Sequence, residues 1–194
     1  MIAQFALMLM LGMSLMWALM PRAQVTAGFF RIQMMIALGL GVLAILTLGS
    51  LTPAVETSSV DRWISAARVA VGVAALAGYV GSVFWMLDRR PGGTVCVFVI
   101  ILSTFASLLF SRGDLASMTT PAGQLLLISQ LATATVLGGA VTSMLLGHWY
   151  LTAPTMSIEP LKRLSLLFGI AVGIRLVVSI IGWAMGGHGQ IGRA

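Results

Sequence analysis

Long apolar runs alternate with short polar ones along the chain. Six runs stand out, at roughly 3–20, 32–51, 65–87, 94–110, 122–148 and 164–185. At about 1.5 Å of rise per helical residue, each is long enough to cross about 30 Å of hydrocarbon. Barrel strands need only about ten residues and alternate with period two. These runs are longer and do not alternate, so they predict helices, whose backbone polar groups are satisfied internally. The expected fold is an all-α integral membrane protein: six transmembrane helices in a compact bundle with short loops, residues 1–194 forming a single transmembrane domain. The loops are too short for a core of their own. No Lys or Arg precedes Arg22, so the first run lacks the basic segment of a signal peptide and reads as the first helix.

Polar punctuation refines the ends. Ser58 and Asp61 have capping-box spacing, with Asp as a variant, and would start the third helix early with Trp63 at the interface. Thr120-Pro121 reads as N-cap and first residue of the fifth helix. Pro160 fits the first turn of the sixth. Asp88-Arg89-Arg90-Pro91-Gly92-Gly93 reads as a tight turn between helices three and four.

Helices in lipid pack through small residues at four-residue spacing. Helix 3 carries Ala66, Ala70, Ala74, Gly78 and Ser82; helix 5 carries Thr135, Gly139, Ser143 and Gly147; helix 6 carries Ser165, Gly169 and Gly173, then Gly182 and Gly186. The rows predict that these three helices pack closely together. In helix 1, Met13, Met16 and Met20 share a face. Adaptable packing explains the stripe, and no His or Cys on another span obviously completes a Cu(I) site.

Composition agrees with the pattern. Hydrophobic residues make up 59% of the 194 and charged residues 8%, where a soluble domain carries about 25% charged. One cysteine, Cys96, excludes an intrachain disulfide and Cys₂ or Cys₄ metal motifs. The net charge of +6 comes from residues scattered at helix ends. They lack aromatic interleaving, so nucleic acid is not an expected partner. Loops 1, 3 and 5 hold Arg22, Arg31, Arg89, Arg90, Lys162 and Arg163; the other side holds Arg62, Arg68, Arg112 and Arg193. The bias places loops 1, 3 and 5 in the cytoplasm and both termini outside, in a bacterial-type inner membrane.

Candidate chemistry is sparse. Glu56, Asp61, Asp88, Asp114 and Glu159 all fall in loops or at interfaces. Coupled transporters usually need an acid within the membrane, so a self-contained one is disfavoured, though a passive pore is not. Arg175 lies near the middle of helix 6, where an arginine costs at least about 2.5–3.5 kcal/mol. It falls about 200° around the helix from Gly173, so one face should pack tightly and the other present the cation. Snorkelling or its own helix satisfies it, or a ligand or partner does: a lipid phosphate, a haem propionate, a quinone carbonyl, or an acid on another subunit. Gln130 reads first as interhelical glue, at a depth near Arg175. Trp149 and Tyr150 read as an interfacial belt. His148 beside them is open to three roles: solvated, hydrogen-bonded to a quinone head, or one axial haem ligand. The only other histidine, His188, lies at the opposite face, about 30 Å away, which disfavours a self-contained bis-His haem.

No catalytic set and no metal motif is visible. The expected function is therefore a non-catalytic membrane subunit of a larger assembly. Such a subunit would be respiratory or electron-transferring, scaffolding its partners and lending a lipid, quinone or cofactor contact near Arg175, His148, Gln130, Trp149 and Tyr150. Expected partners are membrane lipids and other membrane subunits. A small homo-oligomeric transporter or channel, with Arg175 meeting an anion, is the alternative. A lipid-modifying enzyme built on His148 and Glu159 has less to support it.

Overall fold

The computed structural model describes residues 1–48, 58–111, 120–152 and 157–191, and within these the side chains other than those of 58–61, 152 and 185–191. The described residues form six α-helices and one short 3₁₀ turn, with no strand. The helices are α1 (Ile2–Leu19), α2 (Ala27–Leu48), α3 (Ser58–Met86), α4 (Arg90–Phe110), α5 (Pro121–Thr152) and α6 (Glu159–Ile191). All six are long and apolar enough to cross a membrane. Glu56, Arg112, Asp114 and Arg193 lie outside the described residues, and the side chains of the Ser58–Asp61 cap and of His188, with the surroundings of Gly186, are likewise outside what is described.

Helix ends follow local chemistry, and several run further than the apolar runs do. Thr120 caps α5 as its spacing implied: its hydroxyl accepts the N–H of Gly123 at 3.1 Å. Pro160 does lie in the first turn of α6. The expected turn over 88–93 is shorter than its composition suggested. Helix α4 already begins at Arg90, with Pro91 in its first turn, where a missing N–H costs no hydrogen bond. The turn itself bends at Asp88, which adopts a left-handed backbone, φ 51°.

Helices α1 to α4 close a ring, each packed on the next and α4 back on α1. Helix α5 packs on the outside of α1, and α6 chiefly on α5. Over their most apolar stretches, 56% of α1 is buried against 17% of α6, which makes α1 the centre and α6 the periphery. The core is dominated by α1 and α2 side chains, including Met10, Met13, Trp17, Phe29, Phe30 and Met34. Met13, Met16 and Met20 are buried in it, as their shared face implied. The Phe30 ring stacks on Trp85 at 4.4 Å between centroids.

Of the expected packing of helices 3, 5 and 6 against one another, the α5–α6 part forms, with Gly139 against the Phe168 ring, and the α3 part does not. Helix α3 packs on α2 and α4. A methyl at Gly78 would meet the Met34 carbonyl oxygen at 2.9 Å, and one at Gly41 would meet the Ala75 Cβ at 2.8 Å. The helix 3 row is therefore a contact row, but its partner is α2. In α6, methyls at Gly169 and Gly173 would meet nothing within 4 Å, so those glycines face outward. The closest helix crossing uses glycines outside the predicted rows. Gly12 of α1 meets Ala134 and Gly138 of α5 backbone to backbone, such that a Cβ on Gly12 would lie 2.6 Å from the Ala134 carbonyl carbon.

Loops 1, 3 and 5 share one end. Arg90 donates from Nη1 to the Ala23 carbonyl at 3.1 Å, tying α4 to loop 1. Arg22 lies over the Phe98 ring at 5.8 Å. Trp149, near the end of α5, donates from Nε1 to the Thr26 hydroxyl at 2.9 Å.

Candidate functional site

Three of the five candidate residues, Arg175, His148 and Trp149, mark two separate places. Arg175 occupies a groove between α5 and α6, and His148 lines a cavity between α2 and α5.

The groove, about 610 Å³, is lined by Ala122, Leu125, Leu126 and Ser129 of α5 and by Arg175, Val178, Ser179 and Gly182 of α6. Helical spacing explains its make-up. Ala171, Arg175, Val178 and Gly182 recur at four, three and four residues, which is one stripe of a 3.6-residue helix. Ala171 and Val178 are buried. Arg175 thus belongs to the packed side of α6, the reverse of the expected arrangement, and the outward face is the glycine face. Small residues there simply make a smooth surface. The half-buried guanidinium donates from Nη1 to the Ser179 hydroxyl at 3.0 Å, and that hydroxyl donates to the Arg175 carbonyl at 2.8 Å. No acid reaches it: among the described residues the one ion pair is the exposed Arg90–Asp88 contact at 3.3 Å. Ser129, and not the neighbouring half-buried Gln130, lines the groove, so Gln130 does not join Arg175 there.

The second place is a cavity of about 270 Å³ lined by Phe29, Ile32 and Gln33 of α2 and by Leu145, His148 and Trp149 of α5. Each helix supplies residues at i, i+3 and i+4, the spacing of one face. Trp149 forms a fixed wall. Its indole N–H is held by Thr26, its ring meets the edge of Phe29 at 6.1 Å, and Gly28 leaves room for it against α2. The ring is thus part of an interhelical joint. Tyr150 points away, its hydroxyl donating to the Ser157 carbonyl in the next loop, and it does not line the cavity. His148 is exposed.

Gln33 is the residue that sequence reasoning missed. It is 1% exposed, and neither its Oε1 nor its Nε2 has a hydrogen-bond partner. Buried polar groups are nearly always paired, so an unsatisfied amide facing a cavity is a signal. The apolar run begins at residue 32, so in the sequence Gln33 falls at its very edge. The helix begins at Ala27, and Gln33 sits about two turns inside it.

A shallow groove of about 500 Å³ adjoins the cavity on the outer side of α2. It is lined by Gly28, Arg31, Met35 and Ile36, and it shares Ile32 and Trp149 with the cavity. Among the described residues no three His, Cys, Asp or Glu side chains gather where a metal could bind. Comparison with known protein families, characterised proteins and solved structures found no match, so the chemistry of these two places carries the functional argument.

Proposed function

We propose that the chain is a non-catalytic integral membrane subunit of a larger assembly, of the respiratory or electron-transfer kind. It scaffolds that assembly and lends it a lipid, quinone or cofactor contact near Arg175 and His148. Its partners are membrane lipids and other membrane subunits. It sits in a bacterial-type inner membrane with loops 1, 3 and 5 in the cytoplasm, on the strength of the basic residues they carry.

One observation carries this reading. Arg175 faces an open groove on the least buried helix, and Ser179 alone engages its guanidinium among the described residues. A guanidinium has several N–H donors, and holding it in hydrocarbon is costly. An acid of a neighbouring subunit or an anionic headgroup would complete the site. The rest of α6 suits such a neighbour, since Leu166, Ile174, Leu176, Ile181 and Trp183 are all exposed.

The test is a native mass spectrum in gentle detergent with an optical spectrum of the same sample, for the wild type and Arg175→Leu. The expected result is a larger species of fixed stoichiometry that the substitution disrupts. A colourless lone chain or homo-oligomer, unchanged by the substitution, overturns the reading. The alternative, a small homo-oligomeric transporter or channel with Arg175 meeting an anion, draws support from the groove that reaches Arg175. Anion efflux from proteoliposomes, lost in Arg175→Leu, would select it.

A further inference from the structure

We infer that the cavity between α2 and α5 binds the carbonyl-bearing ring head of a quinone-type lipid-soluble molecule, with the molecule's apolar chain in the adjoining groove along α2. The inference rests on the ligand-contact part of the function proposed above and is independent of the subunit part.

The polar groups lining the cavity define the head. Gln33 brings an amide with one acceptor oxygen and two N–H donors, buried and unpaired. His148 lines the same cavity with an imidazole, which in its neutral form also carries one donor and one acceptor. A ring ketone accepts from the amide Nε2–H, and the corresponding ring hydroxyl donates to Oε1. Gln33 can therefore hold either form of such a head without moving from α2. The remaining walls, Phe29, Ile32, Leu145 and Trp149, are apolar or aromatic, which suits a flat ring. Both lining helices run on into apolar surface, and the shared residues Ile32 and Trp149 make the outer groove continuous with the cavity. Met35 and Ile36 line that groove and would carry the chain.

The charge distribution favours a neutral head over a phospholipid. Among the residues lining the cavity and the groove, Arg31 is the one Arg or Lys, and it lines the outer groove and not the cavity. A phosphate would settle on Arg31 and leave Gln33 unpaired.

The test uses the purified full-length chain in detergent, without partners, titrated with a decyl-substituted benzoquinone. Quenching of tryptophan emission and quinone retained after gel filtration are the readouts. Saturable one-to-one binding is expected. Gln33→Leu should weaken it about tenfold, the equivalent of one hydrogen bond to a buried group. The same substitution should raise the melting temperature of the ligand-free protein, because it removes an unpaired buried amide. His148→Ala, at an exposed position, should also weaken binding. Quinone that fails to saturate, or that binds Gln33→Leu as tightly as the wild type, overturns the inference. Competition by phosphatidylglycerol that is abolished in Arg31→Gln but unaffected by Gln33→Leu also overturns it, assigning the place to a phospholipid. Failure of this titration leaves the native-complex experiment intact, and the converse holds.

Discussion

The crossing of α1 and α5 offers a sharp test, because one small change should have opposite effects at two places in the same protein. A Cβ on Gly12 would fall 2.6 Å from the Ala134 carbonyl carbon and 3.0 Å from the Gly138 Cα. Carbon atoms pack best at about 3.5–4.0 Å, so Gly12→Ala requires α1 and α5 to part by about 1 Å or more. The obstacle is backbone, which cannot swing aside as a side chain can. A gap of about 0.5–1 Å forfeits a quarter to a half of each dispersion contact along a seam. Overpacked cores lose about 1–3 kcal/mol, and a backbone clash at the central helix places Gly12→Ala near the upper end, about 3 kcal/mol. Gly138→Ala meets the same obstacle from the other side, at the Gly12–Met13 peptide, and should cost about as much. The double variant should cost little more than either single one, since one separation accommodates both methyls and neighbouring sites do not add. Gly173→Ala meets nothing within 4 Å and gains the helix preference of alanine, about 0.5–1 kcal/mol. Equilibrium unfolding in mixed micelles, followed by circular dichroism, reads all four. Wild-type stability in both Gly12→Ala and Gly138→Ala would refute a backbone-to-backbone crossing.

Further outcomes follow from single contacts. Ser107→Ala removes the buried hydroxyl that donates to the Ala67 carbonyl at 3.0 Å, and should cost about 0.5–1.5 kcal/mol in the same unfolding measurement. Asp88→Gly should stabilise by about 0.5–1 kcal/mol, because a left-handed backbone costs a side-chain-bearing residue more than glycine loses in entropy; the exposed ion pair to Arg90 that it sacrifices contributes little. A lower melting temperature in that variant would contradict the strain argument. Phe30→Ala leaves a cavity beneath the stacked Trp85 and should cost about 3–5 kcal/mol, with a shift in tryptophan emission as its optical signature.

The number of helices is legible in the apolar runs, because hydropathy is a property of residue types alone. Their ends are less so. Helix α2 starts at Ala27 and α6 at Glu159, each several residues before its apolar run, since a helix continues into polar surroundings once its hydrogen bonds are propagating. Pro91 and the two glycines after it look like a turn from composition, yet they begin a helix. Small-residue rows show where a backbone can be approached and not what approaches it: Gly78 met α2, Gly173 met nothing, and the tightest approach fell to Gly12 and Gly138. Arg175, His148 and Trp149 stand out in the sequence because charge, imidazole and indole are conspicuous among aliphatic residues. Gln33 does not, because its importance arises only when α5 brings His148 and Trp149 across to it.

The ring of α1 to α4 and the outer position of α5 have a consequence for how the chain is made. During synthesis the first four helices can close on one another before α5 has left the ribosome. Until α5 arrives, α1 carries a stripe at Gly12 where its backbone lies bare. That stripe recognises shape alone, and an α5 from a second copy fits it as well as the chain's own. Exchange of the α5–α6 hairpin between two molecules would satisfy the same α1–α5 contacts, which is the geometry on which domain swapping depends.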